Sequence, residues 1–185
     1  MRITGGEARG RTLSFPSRSK ERPTSDFLRE ALFNLLGILQ GKTFLDLFAG
    51  SGSVGLEAAS RGVQDVCFVE KNKNLVEVIK KNILTCSLDS NYRIIDKDIE
   101  FGLHDLFRKK CGFDIIFADP PYNRDLTGVT LKALSKHNVL HKDGILVIQH
   151  SIKENFSEPG KDTIYQIDQR KYGENALTFL KMEKK

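Results

Sequence analysis

Apolar positions along this chain change period several times, and the changes outline its elements. Phe27, Leu28, Ala31, Leu32, Leu35 and Leu36 recur three and four residues apart. That spacing predicts an amphipathic helix, with Thr24 or Ser25 as its cap. Short apolar runs between turn residues then predict strands at Thr43–Phe48, Asp65–Glu70, Tyr92–Asp98, Phe113–Asp119 and Gly144–His150. Helical spacing falls between them, at Ser53–Arg61, Lys73–Leu84, Glu100–Lys109 and Leu126–Ser135. Two further strand-like runs, Ile164–Gln169 and Ala176–Met182, have no helix between them and predict an antiparallel hairpin. Alternation of this kind predicts an α/β fold, a doubly wound sheet with helices on both faces. Residues 1–24 are rich in Gly, Arg and Ser, with one strand-like piece near Thr12–Phe15. They read as a basic arm or small hairpin outside the main domain, which then spans 25–185.

A length of 185 residues suits one sizeable core, or one domain with a short appendage. The net charge of +5 is concentrated at the ends. Arg2, Arg9, Arg11, Arg18, Lys20 and Arg22 face only Glu7 and Glu21 within residues 1–24, and five more basic residues crowd 170–185. A localised basic excess favours a polyanionic partner. No stretch approaches a membrane span, and Met1-Arg2 leads into Gly5-Gly6 rather than an apolar leader. Cys67, Cys86 and Cys111 are odd in number and form no C-x-x-C pair. The expectation is a reduced, soluble, cytoplasmic protein without membrane contact. His104, His137, His141 and His150 lack metal-ligand spacing, so no metal is expected.

The predicted first strand, turn and helix carry the first chemical signal. Leu45-Asp46-Leu47-Phe48-Ala49-Gly50-Ser51-Gly52-Ser53-Val54-Gly55 contains G-x-G-x-x-G, and Glu70 stands 20 residues after Gly50. Glycines there let the backbone approach a ligand at a helix start, while Glu70 can accept from two ribose hydroxyls. The spacing serves either a nicotinamide dinucleotide or S-adenosylmethionine. Asp46 separates them: a buried carboxylate repels a pyrophosphate but favours a ligand carrying an ammonium and a sulfonium. Asp98, closing the third strand, can accept from an adenine amine, and its competing role is N-cap of the next helix.

The second signal is Asp119-Pro120-Pro121-Tyr122, at the end of the predicted fourth strand. The Asp119 carboxylate and the Pro120 carbonyl can each accept a hydrogen bond from an NH2 group, and Tyr122 offers a stacking face. Prolines fix φ and bring no competing N–H. Asp46, Glu70, Asp98 and Asp119 therefore fall at the carboxyl ends of four strands, where open α/β sheets bind ligands.

With these residues the chain resembles the bacterial 16S ribosomal RNA guanine-N2 methyltransferases, within the class I S-adenosylmethionine-dependent enzymes. The likeness rests on Arg2-Ile3-x-Gly5-Gly6 with Gly10-Arg11 and Leu13, and on Arg22-Pro23-Thr24-x-Asp26-x-x-Arg29-Glu30-x-Leu32-Phe33-Asn34. It continues through Leu45–Gly52, Asp119–Tyr122 and Tyr172-Gly173, with a departure at Glu7-Ala8, where a basic or bulkier pair is expected. The resemblance implies a monomer with seven strands, the last antiparallel, and a small N-terminal extension. It implies catalysis at Asp119, Pro120 and Tyr122, and cofactor contacts from Asp46, Phe48, Gly50, Gly52, Glu70, Asp98 and Thr24. Arg2, Arg9, Arg11, Arg18 and Arg22 would hold RNA phosphates, and Arg29 could reach the cofactor carboxylate or form a salt bridge. The expected partner is 16S rRNA within a small-subunit ribonucleoprotein particle. Rival readings are a DNA adenine-N6 or cytosine-N4 methyltransferase, an NAD-dependent oxidoreductase and a non-catalytic RNA-binding module. The oxidoreductase leaves Asp119–Tyr122 without a task, and the DNA enzyme would want an added recognition domain.

Overall fold

The computed structural model describes residues 1–15, 25–121, 126–154 and 164–183. In chain order these form α1 (Asp26–Leu36), β1 (Thr43–Leu47), α2 (Ser53–Ser60), β2 (Asp65–Val69), α3 (Lys73–Cys86), β3 (Asn91–Ile95) and α4 (Ile99–Arg108). They continue as β4 (Phe113–Ala118), α5 (Leu126–Lys136), β5 (Leu140–Ser151), β6 (Ile164–Tyr172) and β7 (Asn175–Met182). The strands make one seven-stranded sheet in the order β3-β2-β1-β4-β5-β7-β6. β1 through β5 pair in parallel, and β7 runs antiparallel between β5 and β6. The last strand is thus the one reversed, as the resemblance implied.

Alternation along the strands feeds two apolar layers. Phe44, Ile115 and Phe117 join Leu28, Leu32 and Phe33 of α1, Val54 and Leu56 of α2, and Ile79 of α3 on one face. Leu45, Leu47, Ile116 and Ala118 meet Leu103 and Leu106 of α4 and Leu131 and Leu134 of α5 on the other. Ser25 caps α1, its side chain accepting from the Leu28 N–H. β5 begins earlier than Gly144, because Leu140 pairs with Phe113 before a register shift carries Ile145 opposite Ile115. The exposed polar run His141-Lys142-Asp143 hides that start in the sequence.

The N-terminal segment is docked on the domain rather than standing outside it. Arg2 and Thr12 form an antiparallel bridge, flanked by Ile3 N–H to Arg11 O at 3.0 Å and Leu13 N–H to Met1 O at 3.1 Å. Ile3, Ala8 and Leu13 are buried in the layer containing α2. The anchor is Glu57, wholly buried on α2. Its two carboxylate oxygens accept from the Thr4 N–H, the Thr4 hydroxyl and the Gly5 N–H, all at 2.8 Å. They also pair with Arg29 Nε at 3.2 Å and Arg61 Nε at 2.9 Å. One carboxylate thus ties the hairpin, α1 and α2 together. Two buried opposite charges are tolerated here because hydrogen bonds satisfy both.

Candidate active site

The carboxyl ends of β1 and β4, neighbours in the sheet, define the crevice where strand order reverses. Leu47 is in register with Ala118, so Phe48 and Asp119 leave the sheet side by side. After β1 the chain turns tightly: Ala49 N–H donates to Val69 O at 3.1 Å, and Gly52 N–H donates to Ala49 O at 2.7 Å. Phe48 adopts φ 61°, a left-handed conformation unusual for a side chain of its bulk. Gly50 also has positive φ, and a Cβ there would meet only the Phe48 carbonyl at 3.9 Å. Space beside Gly50 is open to a ligand. Gly55 serves packing instead: a Cβ there would fall 2.4 Å from the Phe68 ring, so glycine lets α2 close onto β2.

Asp46 is buried at 2% exposure, its Oδ2 accepting from the Gly55 N–H at 2.9 Å. Burial pushes its carboxyl up to about 8; the Gly55 bond opposes this, while the charges of Asp119 and Glu70 add to it. Three carboxyl groups therefore share one field, and a cation among them would be strongly favoured. Glu70 uses Oε2 to accept from Gly50 N–H at 2.9 Å and Oε1 to accept from Asn72 N–H at 2.8 Å. Glu70 therefore braces the glycine turn and the start of α3 with one carboxylate. Asp98 caps α4 through Glu100 N–H at 3.3 Å and lies 3.3 Å from Lys71 Nζ, its carboxyl about half exposed. The capping role foreseen as its alternative is present. Asp119 is half-buried and Pro120 buried just beyond β4.

The structure brings Asp46, Phe48, Gly50, Gly52, Glu70 and Asp119 to one rim. Thr24, Arg18, Arg22 and Tyr122 lie outside the described residues. Arg29 takes the salt-bridge alternative: it is wholly buried, paired with Glu57 and with Asp26 at 2.9 Å, and bonded to the Arg2 carbonyl. Arg2, Arg9 and Arg11 are exposed on the hairpin. Its turn docks on the C-terminal end of α2, where Glu7 N–H donates to Ser60 O and Ala8 N–H to Ser60 Oγ. The hairpin turn therefore lies at the end of α2 away from the glycine turn, while the Arg2 carbonyl is held by Arg29 of α1. His150, buried at the end of β5, is held between the Ser151 carbonyl and the Thr178 hydroxyl. Glu57 escaped the sequence reading. Its signal was a charged residue inside the otherwise apolar Val54-Gly55-Leu56-Glu57-Ala58-Ala59, which demands a buried partner.

An open glycine turn, a buried acid beside it and Glu70 at the end of β2, on a sheet reversed only at its last strand, define a class I S-adenosylmethionine-dependent methyltransferase. The residues present fit that cofactor. The chain belongs to the family described as conserved hypothetical protein 95, which matches residues 1–181. It is related to ribosomal RNA small subunit methyltransferase D of Escherichia coli K12, with 32% identity over 83% of this chain and 76% of that one. The Haemophilus influenzae protein of the same name is 34% identical over 80% and 78%. The solved structure of a hypothetical protein from Thermus thermophilus superposes with a TM-score of 0.82 at 35% identity, covering 97% of this chain and 98% of that one.

Proposed function

We propose that this chain methylates the exocyclic N2 amine of one guanine in 16S rRNA, acting as a monomer on a small-subunit ribonucleoprotein particle. The observation that carries this is Asp119-Pro120 at the end of β4, directly beside the acid pocket of β1. The names of its Escherichia coli and Haemophilus influenzae relatives support the substrate. Bound cofactor supplies a methyl group on a positively charged sulfur. Asp46 and the neighbouring carboxylates favour that charge; Glu70 holds the ribose hydroxyls, Asp98 the adenine amine, and the Gly50–Gly52 turn gives the backbone its close approach. The guanine amine is a poor nucleophile because its lone pair is delocalised into the ring. Asp119 and the Pro120 carbonyl accept its two N–H bonds and turn the lone pair toward the methyl carbon. The cofactor would supply the methyl group and leave as a neutral thioether, and Asp119 or water would take the amine proton released by the transfer. Positioning supplies up to ~7–11 kcal/mol in favourable systems. Tyr122 is assigned to stacking on the extruded base, Thr24 to the cofactor, and Arg2, Arg9, Arg11, Arg18 and Arg22 to phosphates.

Among the described residues no helix is long and apolar enough to cross a membrane, and no group of three or more metal-ligating side chains is gathered. The test is transfer of a labelled methyl group to unmodified small-subunit particles, followed by nucleoside analysis. N2-methylguanosine at one site is expected. Methylated adenine or cytosine would overturn the base assignment, and labelling of DNA alone would overturn the RNA.

A further inference from the structure

Phe27, in the first turn of α1, is 68% exposed. Its ring meets Tyr172 edge to face, with centroids 5.9 Å apart and planes at 78°. Tyr172 closes β6 and is in register with Asn175 of β7, which pairs with Ser151 of β5. Because Ala118 pairs with Ile148, Ser151 stands level with Pro121. The aromatic pair therefore sits at the same rim as the acid pocket. Tyr172 is three strand spacings from the Asp119-Pro120 site, about 14 Å to the side. That is within the span of a short RNA loop whose target base enters the site.

We infer that Phe27 and Tyr172 form a stacking platform for an unpaired RNA base flanking the methylated guanine; this rests on the RNA substrate proposed above. An edge-to-face pair with two-thirds of Phe27 in water leaves at least one face of that ring open to a base. Lys171 is exposed beside Tyr172, and Lys153 at the same end is paired with Glu174 at 2.8 Å. Aromatic rings among cations are how single-stranded nucleic acid is held without dependence on sequence.

The test compares Phe27→Ala, Phe27→Leu and Phe27→Tyr with the parent, measuring KM and kcat on unmodified small-subunit particles and affinity for S-adenosylhomocysteine. Phe27→Ala and Phe27→Leu are expected to raise KM roughly five- to a hundredfold, with kcat and cofactor affinity held; Phe27→Tyr stays within about twofold. A platform is refuted if Phe27→Leu behaves as the parent, since a clamp between α1 and the β6–β7 hairpin needs only apolar bulk. An unchanged KM in Phe27→Ala refutes it equally. If the parent methylates no RNA, the proposed function fails by itself. The platform is then read from 2-aminopurine beside guanine in a single-stranded oligoribonucleotide: no quenching by bound parent, or equal quenching by Phe27→Ala, overturns it.

Discussion

Asp46 makes cofactor affinity a function of pH, with a definite slope. Its carboxyl stands at about 8 before ligand binds, raised by burial and by Asp119 and Glu70 against the Gly55 hydrogen bond. A cation in the crevice favours the ionised form, so binding expels the proton. At pH 7 only a minority of molecules carry the charge, and apparent affinity is reduced roughly tenfold, on the order of 1 kcal/mol. Affinity for S-adenosylmethionine therefore rises about tenfold per pH unit below 8 and levels off above it. Calorimetry in buffers of different ionisation enthalpy would read proton release on binding at pH 7 that fades above about pH 8. Asp46→Asn keeps an acceptor for the Gly55 N–H but cannot ionise, so its profile isolates this group from titration of the ligand's own amine. Parent and Asp46→Asn profiles that run parallel between pH 6 and pH 9 would refute the assignment.

The same shift has a stability counterpart. Since the folded carboxyl lies above its unfolded value, its contribution is intact below about pH 4 and is lost as pH rises to about 8. Ligand-free Asp46→Asn is thus expected to melt above the parent at pH 8 and level with it at pH 4. Asp119→Ala is expected to lower methyl transfer at least a hundredfold while leaving S-adenosylhomocysteine affinity equal or slightly tighter, because one charge raising Asp46 is gone; single-turnover kinetics and calorimetry separate the two. Glu57→Gln removes the charge facing buried Arg29 and is expected to cost about 3–5 kcal/mol, read as a melting temperature lower by roughly 6–20 °C. Gly55→Ala forces a Cβ against the Phe68 ring and is expected to cost about 1–3 kcal/mol in chemical denaturation, with weaker cofactor binding because Gly55 also holds Asp46.

Legibility followed locality. Strand and helix cores were readable because each period belongs to one element, and the acid rim was readable because α/β topology places every strand's carboxyl end on one side. Glu57 and the docked hairpin were not: five groups from three segments converge on that carboxylate, and nothing within a single window encodes the convergence. Ile3, Ala8 and Leu13 did carry the signal as an apolar set among charged neighbours, but Arg2, Arg9 and Arg11 drew attention outward. Phe27 was assigned to the apolar stripe of α1 with Leu28 and Leu32. Its neighbours turn inward and it does not. A spacing pattern gives the width of a stripe, whereas the partner surface decides which of its edges is covered.

Glu57 also links the hairpin to the helix beside Asp46. It lies on α2, whose first turn follows Gly50–Gly52 and whose Gly55 N–H holds Asp46. The hairpin carrying Arg2, Arg9 and Arg11 closes onto that same helix through the Thr4 and Gly5 N–H groups. The hairpin is thus joined by short bonds to the helix that sets the Asp46 environment. Thr4→Val deletes the hydroxyl donor to Glu57 and the Arg61 contact to that hydroxyl, and leaves the Thr4 and Gly5 N–H bonds and the Arg29 and Arg61 pairs with Glu57 in place. If the hairpin merely bears charge, that change leaves the Asp46 pH profile where it was. If it braces α2, the midpoint near pH 8 moves, and cofactor affinity at pH 7 moves with it, before any RNA is added.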